Sequence, residues 1–115
     1  MSADRARDGW EALGDSTRRA IVTCLADRPR SVGEIAEELP ITRQAVSQHL
    51  QLLKQAGLVT DRAFGTRRVY RLSPEGLGAL RDQLDSYWRR ALNGYQDVAE
   101  HNPPETGAAS TEETS

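Results

Sequence analysis

Between Thr42 and Gln55 the sequence TRQAVSQHLQLLKQ carries Gln44, Ser47, Gln48 and Gln51. At about 100° per residue these four side chains fall on one side of a helix, and Val46, Leu50 and Leu53 fall on the other. Amides and hydroxyls keep donors and acceptors together and carry no charge. That is the equipment for reading base edges in a major groove, where a glutamine can bond adenine in two places. The chemistry of catalysis has no comparable carrier. His49 and His101 stand apart from any nucleophile, there is no phosphate-binding glycine loop, and the acids sit mostly on helix surfaces, so the chain is not expected to be an enzyme.

The elements that must hold this face can be read from caps and spacing. Thr42 is the N-cap of the reading helix, which runs to about Gln55 before Gly57 ends it. Ahead of it, Ser31 and Glu34 form an S-x-x-E capping box, Ile35 and Leu39 point inward, and Pro40 forces the chain out. Only Pro40, Ile41 and Thr42 separate the two helices, the spacing of a helix-turn-helix, with an ordinary α-hairpin as the alternative. Beyond Gly57, LVTDRA and RRVYRL read as two strands around Phe64, Gly65 and Thr66. Tyr70 and Leu72 share the face that packs on the helices, with Val69 and Arg71 on the other. Arg62, Arg67 and Arg68 are expected together near the tip, within reach of a sugar-phosphate backbone.

Upstream, Trp10 and Leu13 mark a short helix broken at Gly14, and Asp15 caps a second helix from Ser16 to about Asp27. That helix turns Ala20, Ile21, Cys24 and Leu25 inward. Downstream, Ser73, Pro74 and Glu75 start a long helix in which Leu77, Leu80, Leu84, Trp88, Ala91, Tyr95 and Val98 make one apolar stripe. A small domain cannot cover so long a stripe. Trp10, Leu13, Leu84, Trp88, Leu92 and Tyr95 are therefore assigned to a homodimer interface. The expected organisation is a disordered N-terminus over 1–7, a single domain over 8–99 and a disordered acidic tail over 100–115.

Bulk properties fit this layout. With 115 residues and 37% hydrophobic content, the chain is one domain that leaves apolar surface for a subunit contact. No run approaches the roughly 18 apolar residues of a membrane span and the first residues lack a signal-peptide core, so a cytoplasmic protein with no membrane partner is expected. The net charge of −2 hides an asymmetry. From Ile41 to Ser73, Arg43, Lys54, Arg62, Arg67, Arg68 and Arg71 face the single acid Asp61, a local +5. From Glu100 onward, Glu100, Glu105, Glu112 and Glu113 give −4. Phosphates respond to potential within a Debye length of about 8 to 10 Å, so the basic stretch is enough to bind nucleic acid. The lone Cys24 reads as a small buried hydrophobe, with a redox or cross-subunit metal role as the alternative.

With these residues in place the chain resembles the ArsR/SmtB family of bacterial winged-helix repressors across about Trp10 to Val98. The motifs that carry the resemblance are LGDSTRRAIVTCL, SVGEIAEEL, ITRQAVSQHLQLLKQAGLV and the wing with RRVYRL. It implies a mainly α fold with a small β-hairpin, a winged helix-turn-helix dimerised through its N- and C-terminal helices. It also implies two reading helices in successive major grooves, about 34 Å apart, of a palindromic double-stranded DNA operator. By position, Arg43, Gln44, Ser47, Gln48, His49 and Gln51 match the DNA-facing segment, and Arg62, Arg67 and Arg68 the wing. His49 lies at the edge of the apolar stripe and is expected to be structural or phosphate-contacting, with base reading ranked behind both.

The resemblance departs where metal sensors of the family keep ligands. Their cysteine pair falls in a helix that here reads Glu34-Ile35-Ala36-Glu37-Glu38-Leu39, and the last helix offers Asp82, Asp85 and Asp97 with no histidine before His101. Transition metals select for imidazole or thiolate, so no metal and no cofactor is expected. The leading expectation is a homodimeric, sequence-specific and autoregulatory repressor. The alternatives are a winged-helix protein-interaction module and a metal-responsive repressor with a non-standard site. Release could come from a small apolar effector between the long helices, a partner, or concentration alone.

Overall fold

Every helix start marked in the sequence by a capping side chain is a helix start in the structure, a computed structural model that describes residues 2–101 and the side chains of residues 6–96. Asp15 accepts the backbone N–H of Arg18 at 2.9 Å and opens α2 (Ser16–Asp27), which follows α1 (Ser2–Ala12). The Ser31–Glu34 capping box closes in both directions, Glu34 N to Ser31 Oγ at 3.3 Å and Ser31 N to Glu34 Oε1 at 2.8 Å, at the start of α3 (Val32–Glu38). Thr42 Oγ1 accepts from Ala45 N at 3.1 Å and begins α4 (Arg43–Gln55). Ser73 Oγ accepts from Gly76 N at 3.2 Å at the start of α5 (Pro74–His101). These bonds supply partners for N–H groups that a helix cannot satisfy in its own first turn.

Contacts divide the chain into two units, Met1–Gln83 and Leu84–Ser115. In the first, Ile21, Ile35, Val46, Leu50, Leu53, Leu58 and Val59 form the fully buried core, drawn from α2, α3, α4 and the strand that follows. The hairpin expected after Gly57 is present as β2 (Val59–Phe64) and β3 (Arg67–Leu72). Val59 pairs with Leu72 and Phe64 with Arg67, leaving a turn of Gly65 and Thr66. Gly65 holds φ at +63°, a left-handed conformation that glycine adopts without steric cost. Tyr70 and Leu72 pack against the core, as expected from the alternation.

The close approach of two glycines joins the hairpin to the start of α5. Gly57, at φ +81°, turns the chain out of α4, and a Cβ on Gly76 would stand 1.9 Å from the Gly57 carbonyl oxygen. Ser73 N donates to the Leu58 carbonyl at 2.8 Å beside this contact.

Three features depart from the sequence expectation. A third strand, β1 (Arg30–Ser31), pairs antiparallel with β3 and gives the order β1-β3-β2; two residues are too few to show an alternating pattern. Helix α1 begins at Ser2, where residues 1–7 were expected to be frayed, and Ala6 is buried in the core. The inward face of α1 is written in Ala6, Gly9 and Ala12, small residues that carry little hydropathy signal but admit close packing. A Cβ on Gly9 would meet Leu80 Cδ2 at 2.9 Å. Leu13, assigned to a dimer face, packs instead against the core of its own chain.

In the second unit, the helical residues from Leu84 onward leave Leu84, Tyr87, Trp88, Leu92 and Tyr95 exposed, with Trp88 at 63%. Arg89 pairs with Asp85 at 3.7 Å, and the Arg90 guanidinium sits 5.9 Å from the Tyr87 ring centre. The side chain of Val98 and the tail beyond His101 lie outside the described residues.

Candidate nucleic-acid interface

Helix α4 divides as its periodicity predicts. Val46, Leu50 and Leu53 are completely buried, and Gln44, Ser47, Gln48 and Gln51 are exposed. A helix held by three fully buried apolar side chains has its rotation about its own axis fixed, so the outward side chains are presented in one orientation.

His49 adds a polar anchor. Its Nδ1 lies 3.3 Å from Arg18 Nη1 and 3.9 Å from Asp15 Oδ2. Accepting from Arg18 requires Nδ1 without a proton. Arg18 also donates through Nε to the Ala12 carbonyl at 2.7 Å, and Arg19 Nη1 donates to the Leu13 carbonyl at 2.7 Å. One guanidinium thus ties the end of α1 to α4. The sequence reading missed Arg18, whose outward phase in α2 gave no sign of it.

At the N-terminal end of α4 the guanidinium of Arg43 lies over Gly33, where a Cβ would stand 3.0 Å from Nη2. Arg43 shares an open groove with Thr66, Arg67 and Arg68 of the wing and with Ser31, Val32, Gly33, Glu34 and Glu37 of the α3 start. Arg62 does not join them. Directly paired residues of an antiparallel ladder point to the same side. The register therefore puts Thr60, Arg62 and Phe64 with Arg67, Val69 and Arg71 on the outer face, and Asp61 and Ala63 with Arg68 and Tyr70 on the face toward the helices. The expected cluster of Arg62, Arg67 and Arg68 is split by this alternation.

Acids temper the basic surface. Asp61 takes Lys54 Nζ on one carboxylate oxygen and Arg68 Nη1 on the other, both at 3.0 Å. The Lys54 hydrogen bond first and Arg68 after it hold the Asp61 carboxyl below the usual aspartate range, against an opposing effect of burial. Arg67 pairs with Glu34 at 3.3 Å. Glu34 is likewise held below the ordinary range, mainly by the backbone N–H of Ser31. Among the described residues, Arg43, Arg62 and Arg71 make no ion pair. The local +5 counted along the sequence omitted Glu34 and Glu37, which the fold brings into the same groove.

Cys24 is buried and donates to Glu38 Oε1 at 3.4 Å, while Arg30, also buried, pairs with the other Glu38 oxygen. Burial first and Glu38 second push the Cys24 thiol up, which disfavours the thiolate that redox or metal chemistry needs. Among the described residues, no group of three or more His, Cys, Asp or Glu side chains is placed to hold a metal ion. Trp10 is partly exposed and donates from its indole to Gln83 Oε1 at 2.8 Å.

Known proteins agree with this geometry. A helix-turn-helix domain model matches residues 13–62. The HTH-type transcriptional regulator Rv2034 of Mycobacterium tuberculosis is 56% identical over 107 residues, spanning 92% of this chain and 100% of that protein. An ArsR-like transcriptional regulator from Rhodococcus sp. RHA1 superposes with a TM-score of 0.67 at 31% identity, over 83% of this chain and 92% of its own. A homodimeric winged helix-turn-helix DNA-binding domain from Mycobacterium bovis superposes with a TM-score of 0.62 at 27% identity, over 90% of each chain. The motifs, the fold and these relatives together place the chain in the ArsR/SmtB family of winged helix-turn-helix transcriptional regulators.

Proposed function

We propose that this protein is a cytoplasmic homodimer that binds a palindromic operator, reads it through α4, and represses transcription, its own gene included, by occluding the promoter. The observation that carries the reading is the division of α4 into three fully buried apolar side chains and an exposed row of Gln44, Ser47, Gln48 and Gln51. Gln44 and Gln48 make the bidentate contacts to bases, with Ser47 and Gln51 beside them. Arg43, Arg62, Arg67 and Arg68 bind phosphates, which fix position and orientation without reading sequence. His49 acts structurally, since its Nδ1 faces Arg18 within the domain. The exposed row of Leu84, Trp88, Leu92 and Tyr95 meets its equivalent on a second chain. The homodimeric relative from Mycobacterium bovis supports that arrangement.

The test compares two substitutions on a duplex selected by the protein from a random-sequence pool and on unselected duplex. Gln48→Ala is expected to cost about 1 to 3 kcal/mol on the selected duplex and little on the unselected one. Arg67→Ala is expected to weaken both alike and to lower the salt dependence by about one counterion. Equal losses on both duplexes for both variants would refute the division of labour.

A further inference from the structure

The outer face of the wing holds an aromatic side chain for which the fold has no use. Phe64 is the last residue of β2, stands opposite Arg67 across the Gly65–Thr66 turn, and is 56% exposed. It takes no part in the hydrophobic core. An exposed ring alone says little, since single apolar residues on surfaces are ordinary. Its neighbours say more. Arg62 lies two positions back on the same face, and together with Arg71, Val69, Thr60 and Pro29 it lines the hollow that Phe64 borders. Among the described residues, neither Arg62 nor Arg71 makes an ion pair, whereas Lys54, Arg67 and Arg68 on the rest of the basic surface do. The unpaired cations of the wing therefore sit on the same face as its exposed ring.

The position of the tip selects the occupant. Thr66, two residues beyond Phe64, lines the same groove as Arg43 at the N-terminal end of α4. Beside a major groove occupied by a helix lie the phosphate ridge and then the minor groove, about 6 Å wide. A tip made of a two-residue turn and one ring suits an opening of that size.

We propose that Phe64 is a DNA-contacting specificity residue whose ring enters the minor groove beside the segment read by α4, with Arg62 on the flanking phosphate. This rests on the assignment of α4 to the major groove. An apolar side chain set against a base step favours steps that unstack readily, so its contribution depends on sequence. Arginines on phosphates alone would give the wing affinity without that dependence. The wing thereby becomes a second reader, at positions the glutamines do not reach.

The full-length protein is tested on a duplex it selects from a random-sequence pool and on unselected duplex. Phe64→Ala is expected to weaken the selected duplex by about tenfold and the unselected one by less than about threefold, with an unchanged salt slope. The melting temperature and sedimentation state stay the same, because the ring contributes nothing to the core. Phe64→Trp retains binding. Replacing guanine by inosine in the flanking steps removes a group displayed only in the minor groove. That change is expected to alter binding by the parent protein and not by Phe64→Ala. Parent-like binding of the selected duplex by Phe64→Ala overturns the proposal, as do equal losses on both duplexes. A changed sedimentation state also overturns it, by assigning the face to a second copy of the chain. If Gln48→Ala loses selectivity and Phe64→Ala does not, this proposal falls and the role of α4 stands. If neither does, both fall.

Discussion

Among single residues, Asp61 has the most to say about how the basic surface is held. It is the only acid between Ile41 and Ser73, and two of the six bases in that stretch converge on it. Its carboxyl is held below the ordinary range mainly by Lys54, so it stabilises the fold at pH values above the unfolded value of about 3.9. That contribution is lost as the pH falls through the folded-state value. Asp61→Asn should therefore melt a few degrees lower than the parent at neutral pH. The gap should close in acid, as thermal melts across a pH series would show. A gap that persists at pH 2 would mean that Asp61 acts through packing and not through charge. The same substitution frees Lys54 and Arg68 for phosphate, so binding to unselected DNA should tighten and grow more sensitive to salt. The composition of α4 was legible at this scale, because Gln44, Ser47 and Gln48 need only their helical phase to be placed. The partners of the arginines were not, because Glu34 reaches Arg67 from a different element and strand alternation separates Arg68 from Arg62.

Among elements, those with a capping side chain and a large-residue stripe were readable to within a residue or two: α2, α3, α4 and the start of α5. What escaped had no such signal. Strand β1 is two residues long, and the first turns of α1 pack through Ala6 and Gly9, whose smallness is what allows the approach to Leu80 and Leu58. Smallness also governs the joint between the α4–β2 turn and α5. Gly76 tolerates no Cβ, since the obstructing atom is the Gly57 carbonyl oxygen, part of a backbone that must turn there at positive φ. Overpacking of a tight site costs about 1 to 3 kcal/mol. Gly76→Ala should therefore lower the denaturation midpoint by an amount in that range or above it. Gly78→Ala, two residues on with nothing within 4 Å of its added Cβ, should leave the midpoint unchanged or raise it. Equal effects of the two in urea titrations would show that the contact is less tight than described.

For the whole molecule, the central question is whether two copies act together. The residues from Leu84 to Tyr95 expose a leucine and aromatic row at helical spacing, and α5 as a whole is 28 residues, about 42 Å, long. A contiguous apolar row of this kind marks an interaction surface. A self-complementary contact along it would relate two copies of α4 by a two-fold axis. The long stripe was plain from the sequence, because large apolar residues recur every three or four positions. Which of them face a second chain was less so, and Leu13 was assigned outward although it packs on its own core. The most direct test of the account is hydroxyl-radical footprinting of the full-length protein on its selected duplex. The account predicts two protected patches related by two-fold symmetry, centred about 10 bp apart or a multiple of that distance, with flanking minor-groove protection beside each. A single asymmetric patch, or uniform protection without a preferred site, would contradict it.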